Sequence, residues 1–68
     1  MTTEEIIALI LQLGPQAADL WFRIEGLVNL GPDEKQNIAN ALAASDNADI
    51  ATKASAAAWL VANGFPIP

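Results

Sequence analysis

Ile10-Leu11-Gln12-Leu13-Gly14-Pro15 returns seventeen residues later as Leu27-Val28-Asn29-Leu30-Gly31-Pro32. Each copy is an apolar stretch closed by Gly-Pro. Glycine can end a helix in a backbone conformation that other residues avoid, and proline has the fixed φ and missing N–H suited to the first position of the next helix. The two copies therefore mark two helix boundaries, and the chain divides around them. Solenoid repeats have periods of about 20–50 residues and need at least three copies, so the echo does not make this a repeat protein.

Outward from the first corner, the spacing predicts a helix over residues 3–13. Thr2 and Glu5 have capping-box spacing, Glu4 and Glu5 sit at the positive end of the helix dipole, and Ile6, Leu9, Ile10 and Leu13 form a core stripe. Ile7 and Leu11 fall outside that stripe, so large apolar side chains cover an arc of about 200°, twice what one packed face needs. Between the corners, Ala17, Leu20, Trp21, Ile24, Leu27 and Val28 read as the central core face of a second helix over residues 15–30. Phe22 projects nearly opposite Ile24 and beside Gly26, which places it outside the expected core.

Past the second corner, a helix over residues 32–44 carries Asp33 and Glu34 in its first turn and a thin apolar face of Ile38, Ala41 and Leu42. Ser45-Asp46-Asn47 is a polar turn, with Asp46 or Asn47 as the expected cap of a fourth, alanine-rich helix over residues 48–63. Its expected core face is Ile50, Ala54, Ala57 and Val61, with Trp59 pointing away. Gly64 and Phe65 have the C′ and C″ spacing of a Schellman closure that brings Phe65 onto Leu60 or Trp59, and Pro66 and Pro68 stop the helix from resuming. The expected fold is all-α: one small domain over residues 1–68, a bundle of four short helices joined by tight Gly-Pro corners.

Function is addressed mainly by what the residues exclude. The chain has no cysteine and no histidine, and its two lysines stand in no motif that would activate a serine or threonine, so no nucleophile and no metal set is assembled from its sequence. Asp46-Asn47-Ala48-Asp49 begins like a calcium loop, but Ala51 and Ala57 stand where that loop needs glycine and glutamate. The adjacent carboxylates Glu4/Glu5 and Asp33/Glu34 belong to first helical turns. The four glycines are isolated and build no phosphate loop. An enzyme, a bound cofactor, a metal and a small-molecule substrate are therefore not expected.

Three basic residues against eight acidic ones give a net charge of −5, which repels phosphate backbones and anionic lipid. The apolar run over residues 6–13 is far short of the ~20 residues that span a bilayer, and no basic segment precedes it as in a signal peptide. The expected setting is the cytoplasm or a particle assembled there. A chain of this size buries only about 60% of its unfolded surface, and without disulfide or metal its remaining route to stability is association. The four large residues left after the stripes are assigned, Ile7, Leu11, Phe22 and Trp59, are the expected protein interface. The leading expectation is a non-catalytic assembly or interaction protein, associating with itself or with a larger partner, such as a minor structural component of a virion. The alternative is an acidic inhibitor that occludes a basic site on a partner by mimicking nucleic-acid charge, although the eight carboxylates are dispersed along the chain rather than arrayed on one face.

Overall fold

The computed structural model describes residues 1–68 and contains four helices: α1 (Thr3–Leu13), α2 (Pro15–Ile24), α3 (Pro32–Ala44) and α4 (Ile50–Ala62). A 3₁₀ turn, Glu25–Leu27, follows α2. The main packing pairs are α1 with α2, α2 with α4, α4 with α3, and α3 with α1, a closed ring in which each helix has two principal neighbours. The shortest dimension, 18 Å, is that of two helix layers at interaxial spacings of about 8–10 Å.

The helix starts are set by local chemistry. At α1 the Glu5 backbone N–H donates to Thr2 Oγ1 and the Thr2 N–H donates to Glu5 Oε1, both at 3.2 Å, completing the capping box. That Thr2 backbone donor, with the Thr2 hydroxyl, holds the Glu5 carboxyl below its ordinary 4.5. At α4 the cap is Asp49, whose Oδ1 accepts from the Thr52 N–H at 2.8 Å, and the same bond holds its carboxyl below the ordinary 3.8. The expected caps Asp46 and Asn47 lie outside the helix: Ser45 Oγ accepts from the Asn47 N–H at 3.1 Å, forming a turn that precedes Asp49.

The two Gly-Pro corners have different backbones. Gly14, at φ +89° and ψ −159°, occupies a region open essentially to glycine alone; its N–H donates to Ile10 O at 2.8 Å while its C=O accepts from Ala17 and Ala18. It both ends α1 and begins α2. Gly31, at φ −72° and ψ 162°, has ordinary extended geometry and serves only as the N-cap of α3. The second helix stops at Ile24, six residues before its expected end. Gly26 weakens the helix beyond that point, and α2 and α3, although consecutive, are not a principal packing pair, so the chain must cross the bundle between them. It does so through the 3₁₀ turn and a tight turn in which Leu30 N–H donates to Val28 O at 2.9 Å. Lys35 Nζ, 3.3 Å from Glu25 Oε2, ties this crossing to α3 through a partly buried ion pair.

The difference between the corners has a measurable consequence. Gly14→Ala should cost about 1–3 kcal/mol, since a Cβ at φ +89° is strained even though no atom lies within 4 Å of it. Gly31→Ser should instead stabilise by about 0.5–1 kcal/mol, by restricting the unfolded chain and supplying a capping hydroxyl. Urea unfolding of the two variants checks the opposite signs.

The core is formed by Ile6 and Ile10 of α1, Ala18 and Trp21 of α2, Ile38, Ala39 and Leu42 of α3, and Thr52, Ala56 and Leu60 of α4. Several residues expected there are exposed: Leu9, Leu13, Leu20, Ile24, Leu27, Ile50 and Val61. On α1 and α2 the buried face is turned by about 80° from the expected stripe, in the same sense on both helices, taking 100° per residue. On α4 it is turned by about 130°. The reason is side-chain size. Ala18, Ala39 and Ala56, exposed by 1% or less, let the helices approach closely, and the large side chains of α1 and α2 rotate to accommodate those contacts.

Candidate docking groove

That rotation carries two leucine-rich pairs to the surface. Leu9 and Leu13 leave the core along α1, Leu20 and Ile24 leave it along α2, and the pairs flank a groove between the two helices. Its floor is Ile6, Ile10 and Trp21, and its volume is about 510 Å³. Eleven of the twelve lining residues are hydrophobic, so the groove offers no array of polar atoms to orient a small polar ligand or stabilise a charged transition state.

The residues expected at an interface lie elsewhere. Ile7, Leu11 and Phe22 are half-buried and pack against the core, because the rotation of α1 and α2 brings them inward. Trp59 is also half-buried. Its ring centroid lies 6.4 Å from that of Phe22 and 5.9 Å from that of Phe65, so three aromatic rings join α2, α4 and the C-terminal segment. The expected Schellman closure is present: Phe65 N–H donates to Leu60 O at 2.9 Å, Gly64 N–H donates to Val61 O at 3.1 Å, and Gly64 has φ +79°. Trp59 Nε1 is buried with no acceptor in the chain.

A second, smaller hollow of about 350 Å³ lies beside these rings, lined by Glu25, Lys35, Trp59, Asn63 and Phe65 among others. Its two charged groups are spent on each other in the Lys35–Glu25 pair. No three histidine, cysteine, aspartate or glutamate side chains come together as a metal site, and no helix is long and apolar enough to cross a membrane.

Stripe counting missed Leu9, Leu13, Leu20 and Ile24 as surface residues because it took them for core. A signal for them was available. They stand in two i, i+4 pairs on either side of Gly14, on helices with more apolar surface than one face can bury. No family model, curated protein or solved structure matches the chain.

Proposed function

We propose that the chain is a non-catalytic assembly protein that docks through the α1–α2 groove onto an apolar protein surface. The observation that carries this reading is the exposure of Leu13 (65%) and Leu20 (58%) at the edges of a groove lined almost wholly by hydrophobic side chains. Contiguous exposed apolar surface on a small domain marks an interaction site, whereas single exposed leucines are ordinary. A groove between two helices is also the shape that receives an amphipathic helix, read by side chains at i, i+3, i+4 and i+7.

The test is association measured by sedimentation velocity, for the chain alone and with an added leucine-rich amphipathic helical peptide. The double variant Leu13→Gln with Leu20→Gln should keep helicity and melting temperature within the small range typical of surface changes, about 0.5 kcal/mol per site. It should also weaken whichever association the native chain shows. Absence of both self-association and peptide binding in the native chain would refute the reading.

A further inference from the structure

We propose that Asn63-Gly64 is a site of spontaneous deamidation, held unreactive by the closure at the end of α4, and that its conversion releases the C-terminal segment. Of the five asparagines only Asn63 precedes glycine; Asn29, Asn37, Asn40 and Asn47 precede leucine, isoleucine or alanine. The neighbour matters because the reaction joins the backbone nitrogen of the following residue to the asparagine Cγ. A side chain on that residue crowds the approach, and glycine leaves it open. Asn63 is also exposed, so water and hydroxide reach it.

The two groups that must meet are each tied to a different carbonyl of the last helical turn. Asn63 Nδ2 donates to Trp59 O at 2.8 Å, and the Gly64 N–H donates to Val61 O at 3.1 Å. The first bond holds the side-chain amide back along α4. The second occupies the proton that must leave before the Gly64 nitrogen can attack. The backbone is set against the reaction as well: with Asn63 at ψ 7°, the Gly64 nitrogen must turn about 130° around the Cα–C bond to lie beside Cβ and close a five-membered ring. Phe65 N–H donates to Leu60 O at 2.9 Å across this same stretch, so such a turn breaks the whole Schellman closure. The stacking of Phe65 on Trp59 at 5.9 Å holds the closure shut. A helix end is nevertheless where a fold opens most readily, so the reactive geometry is reached by local opening.

In the open form hydroxide takes the Gly64 amide proton and the freed nitrogen attacks Asn63 Cγ. The N–Cγ bond forms, the Cγ–Nδ2 bond breaks, and the amide nitrogen leaves as ammonia with a proton from water. Water then opens the resulting succinimide at either carbonyl. Addition at Cγ gives aspartate; addition at the backbone carbonyl gives isoaspartate, whose main chain runs through Cβ. The net change is amide plus water to carboxylate plus ammonium, and it adds one negative charge to the net −5. Neither product restores the closure. A carboxylate has no proton to donate to Trp59 O and stands at the negative end of the α4 dipole. The extra backbone atom of isoaspartate lengthens the loop between Leu60 and Phe65, so their hydrogen bond no longer closes and Phe65 leaves Trp59.

The experiment follows each asparagine by peptide mapping with isoaspartate detection, at mildly alkaline pH, in the native chain and in the chain unfolded in guanidinium chloride. In the unfolded chain Asn63 should convert at least about tenfold faster than Asn47, which precedes alanine. The native fold should slow Asn63 at least about tenfold, and Phe65→Ala should restore at least about threefold of that rate with helicity retained. The converted chain, separated from the native one by anion exchange on its added charge, should exchange the Phe65 amide hydrogen at least about tenfold faster than before, with the Leu42 amide unchanged. Equal rates in native and unfolded chains, conversion at Asn47 as fast as at Asn63, an unchanged rate in a folded Phe65→Ala, or unchanged Phe65 exchange after conversion would each overturn the proposal. The native-against-unfolded comparison and the exchange measurement need no variant, so they decide the matter even where Phe65→Ala fails to fold.

Discussion

Leu42→Ala should unfold or severely destabilise the isolated chain, whereas Leu20→Ala should leave it folded. Leu42 has no exposed surface and sits on α3, which packs against both α1 and α4, so its truncation leaves a cavity that two neighbouring helices border. Such truncations cost about 2–5 kcal/mol. A domain of 68 residues has a total stability of only about 3–10 kcal/mol at the usual 0.05–0.15 kcal/mol per residue, so the loss is a large share of the whole. Leu20, on the open edge of the groove, should lose less than about 1 kcal/mol on the same change, because little of its surface leaves water on folding. Thermal melts followed by circular dichroism separate the two. The ordering is the reverse of the one that periodicity alone suggests, in which Leu20 and Ile24 are central core and α3 is thin. A cooperative native-like melt for Leu42→Ala together with an unfolded Leu20→Ala would place Leu20, not Leu42, in the core.

That reversal shows which parts of the fold the residues declare locally. Helix ends are local events. The Thr2–Glu5 box, Pro15 and Pro32 at first helical positions, and Gly64 with Phe65 at the last end each act within a few residues, and α1 and α3 begin and end where those signals put them. The end of α2 is not local. Gly26 hints at it, but the break at Ile24 also reflects the need to carry the chain from α2 across to α3, a demand that exists only once four helices are packed. The same holds for which face is buried. Leu, Ile and Trp cover so much of α1 and α2 that several rotations bury similar area, and the choice falls to the small buried residues Ala18 of α2, Ala39 of α3 and Ala56 of α4. Alanine adds little to a hydrophobic stripe, so counting large side chains selects a different face. The groove was hidden for that reason: its leucines look like core until the alanines fix the rotation.

Phe22 tests the rotation from the other side. Placed opposite Ile24 and beside Gly26, it reads in sequence as a ring the fold does not need, so that Phe22→Ala would spare the fold and weaken assembly. In the structure it is half-buried against the core, with its ring 6.4 Å from Trp59, which in turn stacks on Phe65 at 5.9 Å. Removing it takes away the α2 end of a three-ring series that fastens α2 to α4 and to the segment closing α4. Full burial of a phenylalanine makes its loss cost about 3–5 kcal/mol, and a half-buried one with an aromatic partner should cost about 2–3 kcal/mol. Phe22→Ala should therefore lower the midpoint of urea unfolding with an unchanged slope, and the emission of Trp59, read in a Trp21→Phe background, should shift to the red as water reaches the vacated side. Association of the molecules that remain folded should be close to native, because the groove edges on α1 and α2 do not include this ring. An unchanged unfolding midpoint combined with weakened association would instead assign Phe22 to the interface, and would place the buried face of α2 back on the Leu20 side.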